Sequence, residues 1–206
     1  MFTYRFFGVA LFVGAALSGV ILVRAADSEL VQQARDLLSQ QAYDKAVPIL
    51  EEAFAQNKQD STVAGLLGMA YLYSAQNLDS ARNAEKAENT YIQALDLGGS
   101  ASFLAGLAKD KVKGPNVLKA EPGALTIYRD RVEFLPSKSS NEDHLFLGGG
   151  DLKECGHSRG YGKSSNTFYL KTRKGDFYFR PHHFSPEEGN VVCRLTAKYF
   201  GVKSLP

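Results

Sequence analysis

His157, His182 and His183, with Cys155 or Cys193 as a soft ligand, are the side chains of this chain with the chemistry of a metal or acid–base site. Their spacing argues against one. Adjacent residues on a strand project to opposite faces, so His182 and His183 enter one coordination shell only at a turn. Following Pro181, they read instead as a strand end. A Ser, His and Asp set can be drawn from any chain of this length, and no nucleophile elbow or phosphate-cradling loop accompanies one here. Gly160 and Gly162 flank Tyr161 in a segment rich in Ser and Lys that reads as a hairpin loop. The expectation is a protein that is not an enzyme, with no catalytic residues, no metal and no cofactor.

Cys155 and Cys193 are the only two cysteines. A disulfide and a pair of buried thiols are both open, because spacing does not reveal whether their Cα atoms approach closely enough for a bridge.

The net charge of +2 conceals a division. Residues 27–110 carry 6 Lys/Arg against 12 Asp/Glu, and residues 111–206 carry 16 against 10, so the halves stand at −6 and +6. They are either two independently solvated surfaces, or they attract each other or an anionic partner. The basic excess is too modest for a nucleic-acid partner.

At the N-terminus, Arg5 precedes an uncharged apolar run, residues 6–23, and Val23-Arg24-Ala25 offers a cleavage point. Residues 1–25 read as a secretory signal peptide, or as an N-terminal membrane anchor if left uncleaved. Either way the rest is exported, periplasmic or secreted, or tethered to the membrane by residues 6–23. An oxidising compartment would let a disulfide persist.

These residues must be carried by two kinds of element. Leu30, Ala34 and Leu37, then Tyr43, Ala46, Leu50, Ala53 and Phe54, step by three and four around a break at Ser39–Gln41, which predicts a helical hairpin. Ala64, Leu67, Gly68 and Tyr71, then Ala87, Tyr91, Ala94 and Leu95, predict a second. Neither hairpin buries its apolar stripe alone, so each needs the other stacked on it.

On a 34-residue frame, with seven extra residues after Tyr73, the small and large positions of both hairpins resemble the tetratricopeptide repeat (TPR). The carriers are Leu30, Ala34, Ala46, Leu50 and Ala53, then Leu67, Gly68, Tyr71, Ala87, Tyr91 and Ala94. The repeat's tryptophan is replaced by Leu30 and Ala64, and its closing proline by Lys58 and Gly99. The expected domain spans 27–110, with the insertion lengthening a helix that begins near Asp79 or Ser80. A short apolar helix from Ser102 to Lys109 is expected to cap it, and 111–116 reads as a linker.

From Val117 the period becomes two. Leu125 and Ile127, then Val132 and Phe134, predict a hairpin turning at Tyr128–Arg131, and Phe168 and Leu170, then Phe177 and Phe179, another across Arg173–Asp176. His144–Leu147 continues the pattern, with Gly148–Gly150 as a bulge or bend. Pro186, Glu187 and Glu188 open a helix with Val192, Leu195, Thr196 and Tyr199 on one face, ending at Gly201. Gly123-Ala124-Leu125-Thr126-Ile127, Arg131-Val132-Glu133-Phe134, Phe177-Tyr178-Phe179 and the closing helix resemble the pleckstrin-homology (PH) and GRAM superfold over 117–206. The fold class expected is therefore α helical-hairpin repeats followed by an α+β PH-like curved antiparallel sheet. That resemblance implies that Cys193 faces Cys155 on the third or fourth strand.

Two surfaces are candidates for binding. The TPR resemblance implies a protein or peptide partner on the inner face of the first helices, at Val31, Arg35, Leu38, Gly65, Met69, Leu72 and Tyr73, unless that face packs on the second domain. The PH resemblance implies an anionic or membrane surface at Lys153, Arg159, Lys163, Lys171, Arg173 and Lys174. The function expected is that of an exported adaptor, with membrane-surface binding as the alternative.

Overall fold

In a computed structural model the protein is described over residues 29–74, 80–108, 120–137, 144–157, 167–181 and 186–205. The N-terminal segment read as a signal or anchor, together with Arg159, Lys163, His182 and His183, lies outside them.

A helical region comes first: α1 (29–39), α2 (Tyr43–Gln56), α3 (Ser61–Tyr73) and α4 (Ser80–Asp96). Gln41, with φ 58°, makes the left-handed turn between α1 and α2. Asp60 caps α3 by accepting hydrogen bonds from the Thr62 and Val63 amides, the role a short acid plays at a helix start. The small residues at matching places in the two hairpins, Ala34, Ala46, Ala53, Ala87 and Ala94, are all buried. Gly68 is held to its type, because a Cβ there would lie 2.7 Å from the Tyr91 ring. α4 has 17 residues and α2 has 14, so helix lengthening absorbs only part of the insertion.

A mixed, curved sheet follows, closed by a C-terminal helix. Its strands are β1 (Ala101–Ala108), β2 (Glu121–Ile127), β3 (Arg131–Pro136), β4 (Leu145–Gly148), β5 (Leu152–His157), β6 (Phe168–Thr172), β7 (Asp176–Pro181) and β8 (Lys203–Leu205), and its helix is α5 (Pro186–Phe200). The spatial order is β4-β3-β2-β1-β7-β6-β5-β8. Every neighbouring pair is antiparallel except β5 with β8. Phe134 of β3 and Phe179 of β7 have ring centroids 5.9 Å apart although two strands stand between theirs, so the sheet bends around its own core. Both expected hairpins form, with the Tyr128 amide bonded to the Arg131 carbonyl at 2.9 Å and the Thr172 amide to the Gly175 carbonyl at 3.0 Å. Gly148–Gly150 is a turn rather than a bulge: residues Gly149–Asp151 form one 3-10 turn.

One expectation is corrected here. Residues 102–109 are not a capping helix; Ala101–Ala108 is the sheet's central strand, paired with β2 on one side and β7 on the other. Ala101, Phe103, Ala105 and Leu107 are buried, the period-two pattern of a strand. The helical region thus ends at Asp96, where Gly98, with φ +82°, turns the chain into the sheet.

The helices and the sheet are not separately solvated. One hydrophobic core joins Tyr43, Leu72, Tyr73, Ala87, Tyr91 and Leu95 of the helices to Phe103, Leu125, Phe168, Phe179 and Leu195 of the sheet and α5. A smaller core lies within the first hairpin and α3. Arg194 of α5 pairs with Glu88 of α4 at 2.6 Å, and the Tyr199 hydroxyl donates to the Ile92 carbonyl at 3.2 Å.

Candidate functional site

β1 has seven residues paired with β2, but β7 reaches only as far as Ala105 along its other edge. Among the described residues, 101–104 therefore have no strand on that edge to receive their main-chain groups, and buried backbone groups must be paired. Two tyrosines from the helices supply the bonds. The Tyr91 hydroxyl donates to the Ser102 carbonyl at 2.8 Å, and the Leu104 amide donates to the Tyr73 hydroxyl at 2.6 Å. Tyr91 also lies against Phe103, with centroids 5.0 Å apart, and Tyr43 against Tyr73, at 5.3 Å.

Glu188, in the first turn of α5, is buried in the same seam at 1% exposure, and neither of its carboxyl oxygens has a hydrogen-bond partner. Burial pushes its pKa up to about 8; the Tyr73 hydroxyl lies near enough to offset part of that shift, without hydrogen-bond geometry. Burial raises the Tyr73 and Tyr91 hydroxyls well above their ordinary range, and the nearby Glu188 adds to both shifts. Next to it, Gly189 brings α5 so close to β5 that a Cβ would lie 2.8 Å from the His157 ring. His157 itself shares a 2.7 Å hydrogen bond with Asn190. The sequence singles out Tyr43, Tyr73, Tyr91 and His157 for other roles but not the seam they share with Glu188, which reads there only as an acid suited to a helix start.

Of the residues read as peptide-facing, Leu72 and Tyr73 are both buried in the core shared with the sheet. Val31 and Leu38 are partly buried against the first-hairpin core, Arg35 is exposed, and Met69 is half-buried. Met69 lines an open cleft of about 160 Å³ between α3 and the entry to β1, with Thr62, Gly65, Leu66, Ser100 and Ser102. Gly65 lets the chain close on this cleft, since a Cβ there would lie 2.8 Å from the Ser100 carbonyl oxygen. The cleft's lining mixes apolar side chains with hydroxyls, the mixture suited to an apolar side chain carried on a hydrogen-bonding backbone.

The basic residues are brought together only in part. Lys171 pairs with Glu154 at 2.7 Å, and Lys174 with Asp151 at 2.9 Å. The Lys171 ammonium, with the Tyr169 hydroxyl, holds the Glu154 carboxyl below its usual range, and Lys174 does the same for Asp151. The main chain of Arg173 donates to the Asp151 carbonyl at 2.8 Å, and Lys153 is exposed. Lys174 also reaches the Phe146 carbonyl of β4, at 3.4 Å, guarding the sheet's edge.

Cys155 and Cys193 form a disulfide, with Cα atoms 5.2 Å apart, that ties α5 to β5. Cys155 stands on β5, the fourth strand after residue 117, as expected. The bond is compatible with an exported protein. Among the described residues, no helix is long and apolar enough to cross a membrane, and no group of three or more His, Cys, Asp or Glu is placed to hold a metal ion.

No family model matches the chain, and no curated protein matches it. Solved structures similar to it include the N-terminal PH domain of human ARAP2, at 13% identity and a TM-score of 0.38, covering 50% of this chain and 80% of that one. The N-terminal PH domain of Vps36 is similar at 17% identity and a TM-score of 0.36, again over 50% and 80%. A C-terminal domain from Leishmania infantum is similar at 19% identity and a TM-score of 0.36, over 50% and 88%.

Proposed function

We propose that this chain is an exported, non-catalytic interaction protein. In this reading the four helices are two TPR-like hairpins, fused to a PH-like sheet, and an extended peptide segment of a protein partner seats an apolar side chain in the cleft beside Met69. The observation that carries the reading is the cleft itself: an open recess lined by Leu66 and Met69 together with Thr62, Ser100 and Ser102, beside the first helix of the second hairpin. The burial of alanines at corresponding places in both hairpins supports the repeat assignment. Arg35, exposed on α1, extends the face and favours an acidic residue in the peptide.

The alternative partner is an anionic membrane surface meeting Lys153, Lys171, Arg173 and Lys174. It is the weaker reading, because Lys171 and Lys174 already spend their charge on Glu154 and Asp151. Selection from a random peptide library displayed against the disulfide-intact protein tests the proposal. Enriched peptides should share one apolar anchor and should cross-link to a photoreactive residue placed at Leu66 but not to one at Phe146, which is exposed on β4. Enrichment without an anchor, or labelling at Phe146 alone, would overturn it.

A further inference from the structure

A carboxyl group with no hydrogen-bond partner for either oxygen is among the costliest things to enclose in a protein, unless it carries a proton. Glu188 is such a group, and it sits close to tyrosines of α2, α3 and α4, two of which are bonded to β1. Among the described residues, the groups facing it compensate a negative charge only in part, through the Tyr73 hydroxyl. From α2, α3 and α4 come the hydroxyls of Tyr43, Tyr73 and Tyr91, all of which feel its charge as unfavourable to their own ionisation. From β1 come the Ser102 carbonyl and Leu104 amide, both committed to Tyr91 and Tyr73. His157 of β5 lies against the neighbouring Gly189 and is engaged with Asn190. On α5 and β7, Glu187 and Arg180 have interactions of their own, and Arg194 is paired with Glu88.

We propose that Glu188 is a proton-operated latch: protonated, it lies neutral against Tyr43, Tyr73 and Tyr91 and lets α5 close on the helical layer, and on losing its proton it seeks water and loosens the seam. The two hydrogen bonds from the helices to Ser102 and Leu104 of β1 involve tyrosines lining the same seam. Opening the latch therefore weakens the hold of the helices on Ser102 and Leu104, and couples the pH outside to the order of the α3–β1 junction that borders the Met69 cleft.

The sign follows from linkage. Glu188 has a folded pKa of about 8 against an ordinary 4.5, so the closed seam takes up a proton in that interval. Its stability is fullest below the lower value, falls as pH rises between the two, and levels off above the higher. If opening exposes the carboxyl, the opening constant rises roughly a hundredfold between pH 6 and pH 9.

Amide hydrogen exchange on the full chain, corrected for the intrinsic rate at each pH, reads this directly at Leu104. The expected result is a large rise in opening between pH 6 and pH 9 for the native protein and a flat profile for Glu188→Gln. Matching profiles for the two proteins would overturn the latch. If Glu188→Gln does not fold, carbon-13 titration of the native Glu188 carboxyl decides the matter. A midpoint near neutrality or above sustains the latch, and one in the ordinary carboxylate range rejects it.

Discussion

Arg194 on the closing helix donates its Nε to Glu88 of α4 at 2.6 Å, joining residues 106 positions apart across the boundary between the acidic and basic halves. The pair shows that the division of charge is used internally, yet it is not what holds the halves together. Its side chains are 46% and 21% exposed, so water and salt screen the attraction. Arg194→Ala is expected to cost about 0.5 kcal/mol, and less in high salt. Tyr91→Phe, which strands the Ser102 carbonyl, is expected to cost about 1–3 kcal/mol. Urea denaturation of both variants checks the ranking, and equal losses would contradict it.

Gly68 is predicted to be the least replaceable small residue of the helical region. A methyl group at 2.7 Å from the Tyr91 ring must displace either that ring or the helix, and the ring cannot move freely while it is bonded to β1. Gly68→Ala should destabilise by about 1–3 kcal/mol despite the better helix propensity of alanine. A thermal midpoint raised by the substitution would show that α3 and α4 are less closely packed than described.

The disulfide closes a loop of 38 residues by sequence separation. Chain-entropy reasoning puts its contribution at about 4 kcal/mol for such a loop. Replacing both Cys155 and Cys193 with serine should lower stability by about that much or somewhat more, since two hydroxyls would enter a buried site. Both sulfurs being buried, the native protein should resist reduction until it unfolds. Thiol labelling with and without denaturant measures this.

Binding to anionic vesicles is expected to be weak at physiological salt, because Lys171 and Lys174 each face a carboxylate. Glu154→Gln together with Asp151→Asn frees both ammonium groups and should increase co-sedimentation with vesicles containing an anionic lipid. Strong, salt-sensitive binding by the native protein would favour the membrane reading instead.

The hairpins of the sheet and the closing helix were legible because their side chains repeat at the period of the structure: Leu125 and Ile127, Val132 and Phe134, Val192 and Leu195 are each buried on one face. β1 was not legible. Its alanines and glycine suit a helix as well as a strand locally, and what makes it a strand is pairing with β2 and with β7, the latter some seventy residues away. Gly106 has its explanation only in three dimensions, where a Cβ would lie 2.8 Å from that of Ala120. β8 is three residues long and depends on the β5 edge for its form. Cysteine pairing stayed open in the sequence because only the approach of α5 to β5 decides it. Glu188 announces itself as a helix-start acid, and its burial comes from Tyr43, Tyr73 and Tyr91, residues with which it has no local relationship. The same distance hid the fate of Leu72 and Tyr73, whose stripe looked available until β1 was laid against it.

Calorimetric titration of one library-selected peptide into three forms of the protein tests the central claim most directly. Thr62→Trp fills the cleft from its exposed rim without touching the core, and Lys171→Glu with Lys174→Glu reverses the basic hairpin. The account predicts that the first variant loses peptide binding by tenfold or more, equivalent to about 1.4 kcal/mol or greater, while the second binds as the native protein does. Unchanged affinity in Thr62→Trp, or loss confined to the charge-reversed hairpin, would contradict it.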